Sequence, residues 1–506
     1  MSVEDERVPL LEPEPLPDVD PHPVARRWPG YSGETLIVPL ALLCRVATLI
    51  PTTTTFFLLQ QFICRRYYLA HDPARIPPDG QPMPDALCAL PAVEKNYAAF
   101  IALCALLDGI GSLGGYAALS FLAARLGRCA AMATVLGVGL CADIALISST
   151  LVAPSHEVPL FALFLISSSF SQAPLIAFVA NIYLVDLVHE DNRMTALSTL
   201  AGWSALGSVL SFSVGGTITT RGGNALAVYF VAGALWTTGL LYVWLLLPES
   251  FPKTKRDALR RERQNEQGTS GRWRSILSRP AAVLAPLKHL APARDPRTGR
   301  RNWRLFICAI HMFFAGLGGG YAVPSLVTIV TSLYLYKPEE MGYTLTALSG
   351  TNMFVLTVGI PLLVRVLRPM YRRTSTRPAT DEVVEATDRL DVHIAFVSWV
   401  TEATAYIIFG YMRTRATQLA AVILIGCCPG YAPAVRSLVA ASVEPLKQGE
   451  TLGAIEMVWG LGLLVSPSSD GQHPFCNDRL RAPNGVFRSG GHCNLCCRNF
   501  ATRSGC

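Results

Sequence analysis

Six ionisable residues interrupt long apolar stretches of this 506-residue chain: Arg45, Asp108, Asp143, His311, Glu402 and Glu456. A charge in such surroundings is costly, so these residues persist where they pair, bind or carry protons. Away from water a carboxyl group no longer strongly favours its charged form, which suits Asp108, Asp143 and Glu402 to take up and release a proton. Arg45 suits the anchoring of an anionic or polar solute, or a static pair with Asp108 or Asp143. His311 is expected either on the same polar path or as a hydrogen-bonded packing residue.

Two stretches place further polar groups among the apolar runs. Pro51 is followed by Thr52 to Thr55 and then Gln60 and Gln61. Gly316, Gly318, Gly319, Gly320, Tyr321 and Pro324 crowd a second segment. Both read as broken helices, the feature that builds solute sites inside membranes. Thr52, Thr55 and Gln60 would offer hydrogen bonds to a solute, or the hydroxyls would cap carbonyls freed beside Pro51. Enzyme chemistry is not expected. The apolar runs carry no metal-ligand cluster and the chain has no nucleophile elbow or Gly-Lys-Ser/Thr phosphate loop, so neither a cofactor nor ATP-driven work is implied.

The elements that position these groups follow from composition. Of the residues 51% are hydrophobic and 16% charged, against about 25% charged in soluble domains. A spanning helix needs about 20 apolar residues. Runs of that kind occupy 35–63, 97–118, 129–153, 159–185, 195–219 and 225–247, then 304–334, 343–367, 392–412, 417–439 and a short 451–466. Residues 251–304 hold fifteen Lys/Arg and four Asp/Glu, a net +11, so the rest of a chain of net +7 sums to −4. One basic loop between apolar runs marks a cytosolic face, not a nucleic-acid surface. Arg26, Arg27, Arg125, Arg128, Arg365, Arg368, Arg372 and Arg373 fall on that same side, which puts the N-terminus in the cytosol; Arg65, Arg66, Arg413 and Arg415 dissent.

Between the second and third runs the chain reads Ser120-Phe-Leu122-Ala-Ala124-Arg125-Leu-Gly127-Arg128. This resembles the Gly-x-Leu-Ala-Asp-Arg-x-Gly-Arg signature of the major facilitator superfamily, with Ser120 and Ala124 in place of the first glycine and the aspartate. Gly207 to Gly216 resembles the superfamily's antiporter motif, with Ser211 and Phe212 in place of Gly-Pro. Leu247-Pro248-Glu249-Ser250 and the stretch from Asp186 to Arg193 resemble its sixth-helix end and the loop after its fourth helix. The resemblance implies an all-α polytopic membrane bundle of two six-helix-type halves, with eleven helices present of twelve. It implies a gating loop of Arg125, Gly127, Arg128, Asp186 and Arg193, and close helix packing at Gly207, Gly215 and Gly216. It places Glu402 toward the periphery, since third helices of each repeat lie there in this family. The function implied is proton-coupled secondary transport of a small solute by alternating access, in a monomer embedded in the lipid bilayer. The altered signature and the missing helix favour an alternative, a non-transporting membrane sensor or a truncated inactive product.

The resulting organisation is a tail at 1–33, helices over 34–250, the basic loop at 251–303, helices over 304–466 and an atypical tail at 467–506. Glu6, Leu10 and Leu11 form an acidic dileucine pattern that sorting adaptors read, which points to a vacuolar or lysosomal membrane and leaves the plasma membrane open. The last tail carries Cys476, Cys493, Cys496, Cys497 and Cys506 without an apolar run. A shifted frame or altered splicing accounts for it better than a zinc site does.

Overall fold

Among the described residues the eleven apolar runs are helical over most of their length, because a backbone removed from water satisfies its N–H and C=O groups most simply within a helix. The computed structural model describes residues 32–77, 83–88, 90–151, 154–222, 226–267, 285–294, 301–332, 338–373 and 379–466. Glu6, Leu10 and Leu11, much of the basic loop and the whole of 467–506 lie outside the described residues. So do the side chain of Tyr321 and the surroundings of Gly215 and Gly216. Nine described helical segments are long and apolar enough to cross a membrane, and Arg304–Gly320 is a shorter apolar helix.

The first half contains α1 (Gly33–Leu49), α2 (Thr52–His71), the short α3 (Asp85–Cys88), α4 (Pro91–Arg125), α5 (Arg128–Leu151), α6 (Pro154–Ser169), α7 (Ala173–Val185), α8 (Arg193–Gly222) and α9 (Leu226–Leu245). A polar helix, α10 (Lys253–Gln267), follows, and a two-residue strand pair at Ala293–Arg294 and Arg301–Asn302 leads into the second half. That half contains α11 (Arg304–Ser332), α12 (Pro338–Phe354), one π-helical turn at Val355–Gly359, α13 (Ile360–Arg373), α14 (Ala379–Tyr411), α15 (Arg415–Gly426), α16 (Tyr431–Ala441) and α17 (Gln448–Val465). Leu106 and Ile110 on α4, Ile144 on α5 and Phe230 and Trp244 on α9 are exposed. Large apolar side chains left outside in this number suit contact with lipid.

Breaks in the ladder have local causes. Pro51 has no N–H to donate, and α1 and α2 meet there. The Thr48 hydroxyl donates to the Cys44 carbonyl at 2.7 Å and the Thr55 hydroxyl to the Pro51 carbonyl at 2.8 Å. A second break separates α6 from α7 ahead of Pro174, with Ser169 donating to the Leu165 carbonyl at 2.8 Å and Ser171 to the Ser167 carbonyl at 3.2 Å. The seventh run departs from expectation: α11 continues unbroken through Gly316–Pro324. Two of its glycines, Gly316 and Gly320, serve close packing instead. A Cβ at Gly316 would run into the Trp459 carbonyl on α17, and one at Gly462 into the Phe313 carbonyl on α11.

Small residues also set the other close crossings. A Cβ at Gly207 on α8 would lie 2.8 Å from Arg45 Cβ on α1, so the expected packing role is visible there. Ser211, one turn on, donates to the Gly207 carbonyl at 2.8 Å, and α8 keeps its helix where the superfamily pattern has Gly-Pro. A Cβ at Gly453 on α17 would collide with Ser120 Oγ on α4. The superfamily's small residue at position 120 has thus been exchanged for serine, with the space supplied by Gly453 across the contact. Ser198 on α8 donates to the Leu356 carbonyl in the π-turn at 2.7 Å, and both halves therefore touch near the end that carries α10.

Gly316→Ala should lower stability by about 2 kcal/mol, the scale of overpacking against an unyielding backbone. Gly318→Ala should leave it unchanged, because nothing lies within 4 Å of the added carbon. Thermal unfolding of the detergent-purified variants reads the difference, and equal melting temperatures would refute the packing assignment.

Candidate functional site

The two breaks in the first half face a common hollow. It encloses about 460 Å³ and is lined by Pro51, Thr52 and Thr55 from the first break and by Ser169, Ser171, Gln172 and Pro174 from the second. Asp108 on α4 and Asp143 on α5 line it too. Ser169 Oγ lies 2.9 Å from Asp108 Oδ1, its one proton shared between that oxygen and the Leu165 carbonyl, and Gln172 also bonds the carboxyl group. Asp143 is 6% exposed; Trp236 bonds its carboxyl group, while Oδ2 has no partner among the described residues. The Thr55 hydroxyl and the Tyr229 phenol lie 2.6 Å apart at its edge. Thr55 therefore both caps the Pro51 carbonyl and faces the hollow, so the two roles open to the threonines coincide.

Other expected members stand elsewhere. Arg45 pairs with neither aspartate; its Nε donates to Ser208 Oγ at 2.9 Å, between α1 and α8. The close α1–α8 crossing at Gly207 holds the side chain on that side. Gln60 is not among the lining residues, and its neighbour Gln61 holds the loop after α2 through both directions of a bond with the Met83 backbone, at 2.7 and 3.2 Å. Glu402 is half-buried, beside the exposed Ala403 and Thr404. It lines a second hollow of about 420 Å³ in the other half with Trp399, Tyr406 and Tyr431. His311 lies against Trp399 with the rings tilted and their centroids 5.0 Å apart, and it also lines a hollow with Cys308 and Val435; its Nε2 has no hydrogen-bond partner among the described residues.

The gating loop assembles around one buried cation. Gly127 turns the chain between α4 and α5 with φ of 109°, a left-handed conformation that glycine adopts without strain. A Cβ there would also lie 2.5 Å from Glu249 Oε2. Glu249 accepts from the backbone N–H of Arg128 at 2.7 Å and of Cys129 at 3.2 Å, capping the positive end of α5. Arg128 Nε donates to Asp186 Oδ2 at 2.8 Å, with the two side chains 3% and 5% exposed. Its guanidinium lies 4.5 Å from the Phe251 ring centre and packs on Gly449 of α17, where a Cβ would meet Nη2 at 2.6 Å. Two expected members are absent from this knot. Arg125 is exposed over the Phe121 ring, and Arg193 reaches Glu190 at 3.5 Å rather than Asp186. Ala124, where the superfamily signature has aspartate, is 6% exposed and packs with Phe251, Leu259 and Leu446.

Three groups escaped the sequence reading. Arg436 on α16 pairs in bidentate fashion with Glu456 on α17, at 2.5 and 3.2 Å. An arginine within the run 417–439 was the available signal. Glu249 was visible only as a helix end. Cys64 and Cys88 form a disulfide between α2 and α3, signalled by two cysteines flanking one predicted outer loop.

Asp186→Asn should destabilise strongly, because removing one partner of a buried pair costs about 3–5 kcal/mol. Arg128→Gln combined with Asp186→Asn should recover part of that loss. A double-mutant cycle on thermal stability measures the coupling, and strictly additive losses would show that the pair is not coupled.

Residues 87–381 match the family profile described as Major Facilitator Superfamily. The major facilitator-type transporter psiT1 of Psilocybe cyanescens is 33% identical over 417 residues, covering 78% of this chain and 88% of its own. The uncharacterized membrane protein C14C4.07 of Schizosaccharomyces pombe is 24% identical over 486 residues, covering 85% and 72%. Among solved structures, the human organic anion transporter MFSD10 (TETRAN) has a TM-score of 0.61 at 16% identity, covering 87% of this chain and 94% of its own. A bacterial homologue of the iron transporter ferroportin in its outward-facing state has a TM-score of 0.50 at 13% identity, covering 87% and 92%. The structural likenesses speak for the fold; the profile and the first relative carry the membership. The chain belongs to the major facilitator superfamily and is an integral, multi-pass membrane transporter.

Proposed function

We propose that the chain is a secondary active transporter that moves a small solute by alternating access, coupled to protons. The observation that carries this reading is the hollow between the breaks of the first and fourth spans, with Asp108 and Asp143 in its wall and no basic residue among the described lining. Interrupted helices around a midplane site are the superfamily-independent plan for such proteins. The two halves touch through α4 with α17 and through α8 with the π-turn. Contacts of this kind between the halves support the reading, because closing one end in this way is what one half of an alternating cycle requires.

In this reading that end is cytosolic, as its basic residues favour, and Cys64–Cys88 lies on the opposite, oxidising side. The protein acts as a monomer in a vacuolar, lysosomal-type or plasma membrane, with Glu6, Leu10 and Leu11 as an adaptor signal.

Vesicles loaded with a pH-sensitive dye and challenged with sugars, amino acids, amines and organic acids provide the test. At least one solute should drive proton movement, and Asp108→Asn and Asp143→Asn should each lower it tenfold or more at unchanged protein abundance. A flat response across the panel would favour the non-transporting sensor. Orientation is read separately. An impermeant maleimide applied to intact cells or organelles should label Cys64 and Cys88 only after reduction and only from the non-cytosolic side; labelling from the cytosol would reverse the topology.

A further inference from the structure

The first-half hollow combines four properties that bear on what it holds. Two carboxyl groups, Asp108 and Asp143, enter it from different helices, and no Lys, Arg or His is found among its described lining residues. Asp143 is more than nine-tenths buried, and its Oδ2 has no hydrogen-bond partner among the described residues. Trp236, Tyr229, Phe164 and Phe56 add aromatic walls. The space, about 460 Å³, lies within the range of sites for small organic ligands.

A buried acceptor without a donor is a cost that a ligand can remove. The guanidinium nearest in sequence to the first break cannot do so, since Arg45 is directed to Ser208. Anions are disfavoured by the two carboxyl groups, and a neutral polar solute could donate to Oδ2 but brings no charge to meet them. An ammonium group does both, because it is a cation that donates to carboxylates, and it is attracted to ring faces.

We propose that this hollow binds an organic ammonium ion, with its charged nitrogen on Asp143 and Asp108 and its apolar body against Trp236, Tyr229 and Phe164. Its role as a transported substrate rests on the transporter reading above; the binding itself does not. Desolvating such an ion is offset only where both carboxyl groups are present, so neutral isosteres of the same shape bind weakly.

Binding is measured on the purified full chain in detergent, without any gradient, using phenethylamine and tetraethylammonium as probes. Phenethyl alcohol, 3-phenylpropionate and sodium chloride are the comparisons. At least one ammonium probe should bind ten times more tightly than the alcohol, and Asp143→Asn and Asp108→Asn should each weaken it tenfold or more. Asp143→Glu, which keeps the charge, should retain measurable binding, and Glu444→Gln on the surface should bind as the parent does. Should Asp143→Asn fail to fold, Asp108→Asn and Asp143→Glu carry the comparison. The proposal falls if neither ammonium probe outbinds the alcohol, if the propionate binds best, if sodium alone occupies the site, or if Asp108→Asn binds unchanged. Ammonium binding with no vesicle transport would instead sink the transporter reading and leave this one standing.

Discussion

A guanidinium buried as deeply as that of Arg128 persists only when its charge and its hydrogen-bond donors are met, and the arrangement that meets them ties together most of one end of the molecule. Asp186 arrives from the end of α7, Phe251 from the segment after α9 and Gly449 from α17 of the other half. The left-handed turn at Gly127 and the cap by Glu249 fix where α5 begins, and hence where Arg128 points. The same cation therefore organises its own half and seats the other half against it. An interaction that bridges two bodies in one of their arrangements is the kind that can bias a two-state equilibrium.

Departures from the superfamily signature make sense within this knot. Negative charge comes from Asp186 and Glu249, which leaves position 124 free to be apolar, and Ala124 packs with Phe251 and Leu259. Serine at position 120 is tolerated because the partner helix carries Gly453 opposite it. Neither change can be judged from the signature alone, since each is balanced by a residue far away in sequence.

Breaks in the helices do double duty at the opposite depth. Hydroxyls that repair the ladder beside Pro51 and Pro174 are the ones that face the hollow. Removing a backbone hydrogen bond within a membrane is costly unless a nearby group replaces it, so threonine and serine accumulate where proline does. Asp108 borrows one of these hydroxyls, Ser169, across from α6. The run of glycines in α11 has a different purpose. It carries no break, and Gly316 lets α17 approach until backbone meets backbone.

Much of the architecture was legible from residue type and spacing. Apolar runs of spanning length can only be helices in lipid, and Gly127 between α4 and α5 marked a turn because other residues resist that conformation. Asp108 and Asp143 stood out as charges in apolar surroundings, although nothing local said that both would face one hollow. Helical runs alone do not reveal which side chains meet: Arg125 at the end of α4 is exposed, while Arg128, past the turn at Gly127, is buried on Asp186. Arg436 and Glu456 lie twenty residues apart on consecutive helices, and only their crossing makes them a pair. Composition and spacing determined the class of the protein, its helices and its inventory of charged groups, because these depend on local physics. Which charges meet, which are left facing space and which glycines touch another backbone was decided by tertiary packing, because those outcomes depend on contacts between segments that are distant along the chain.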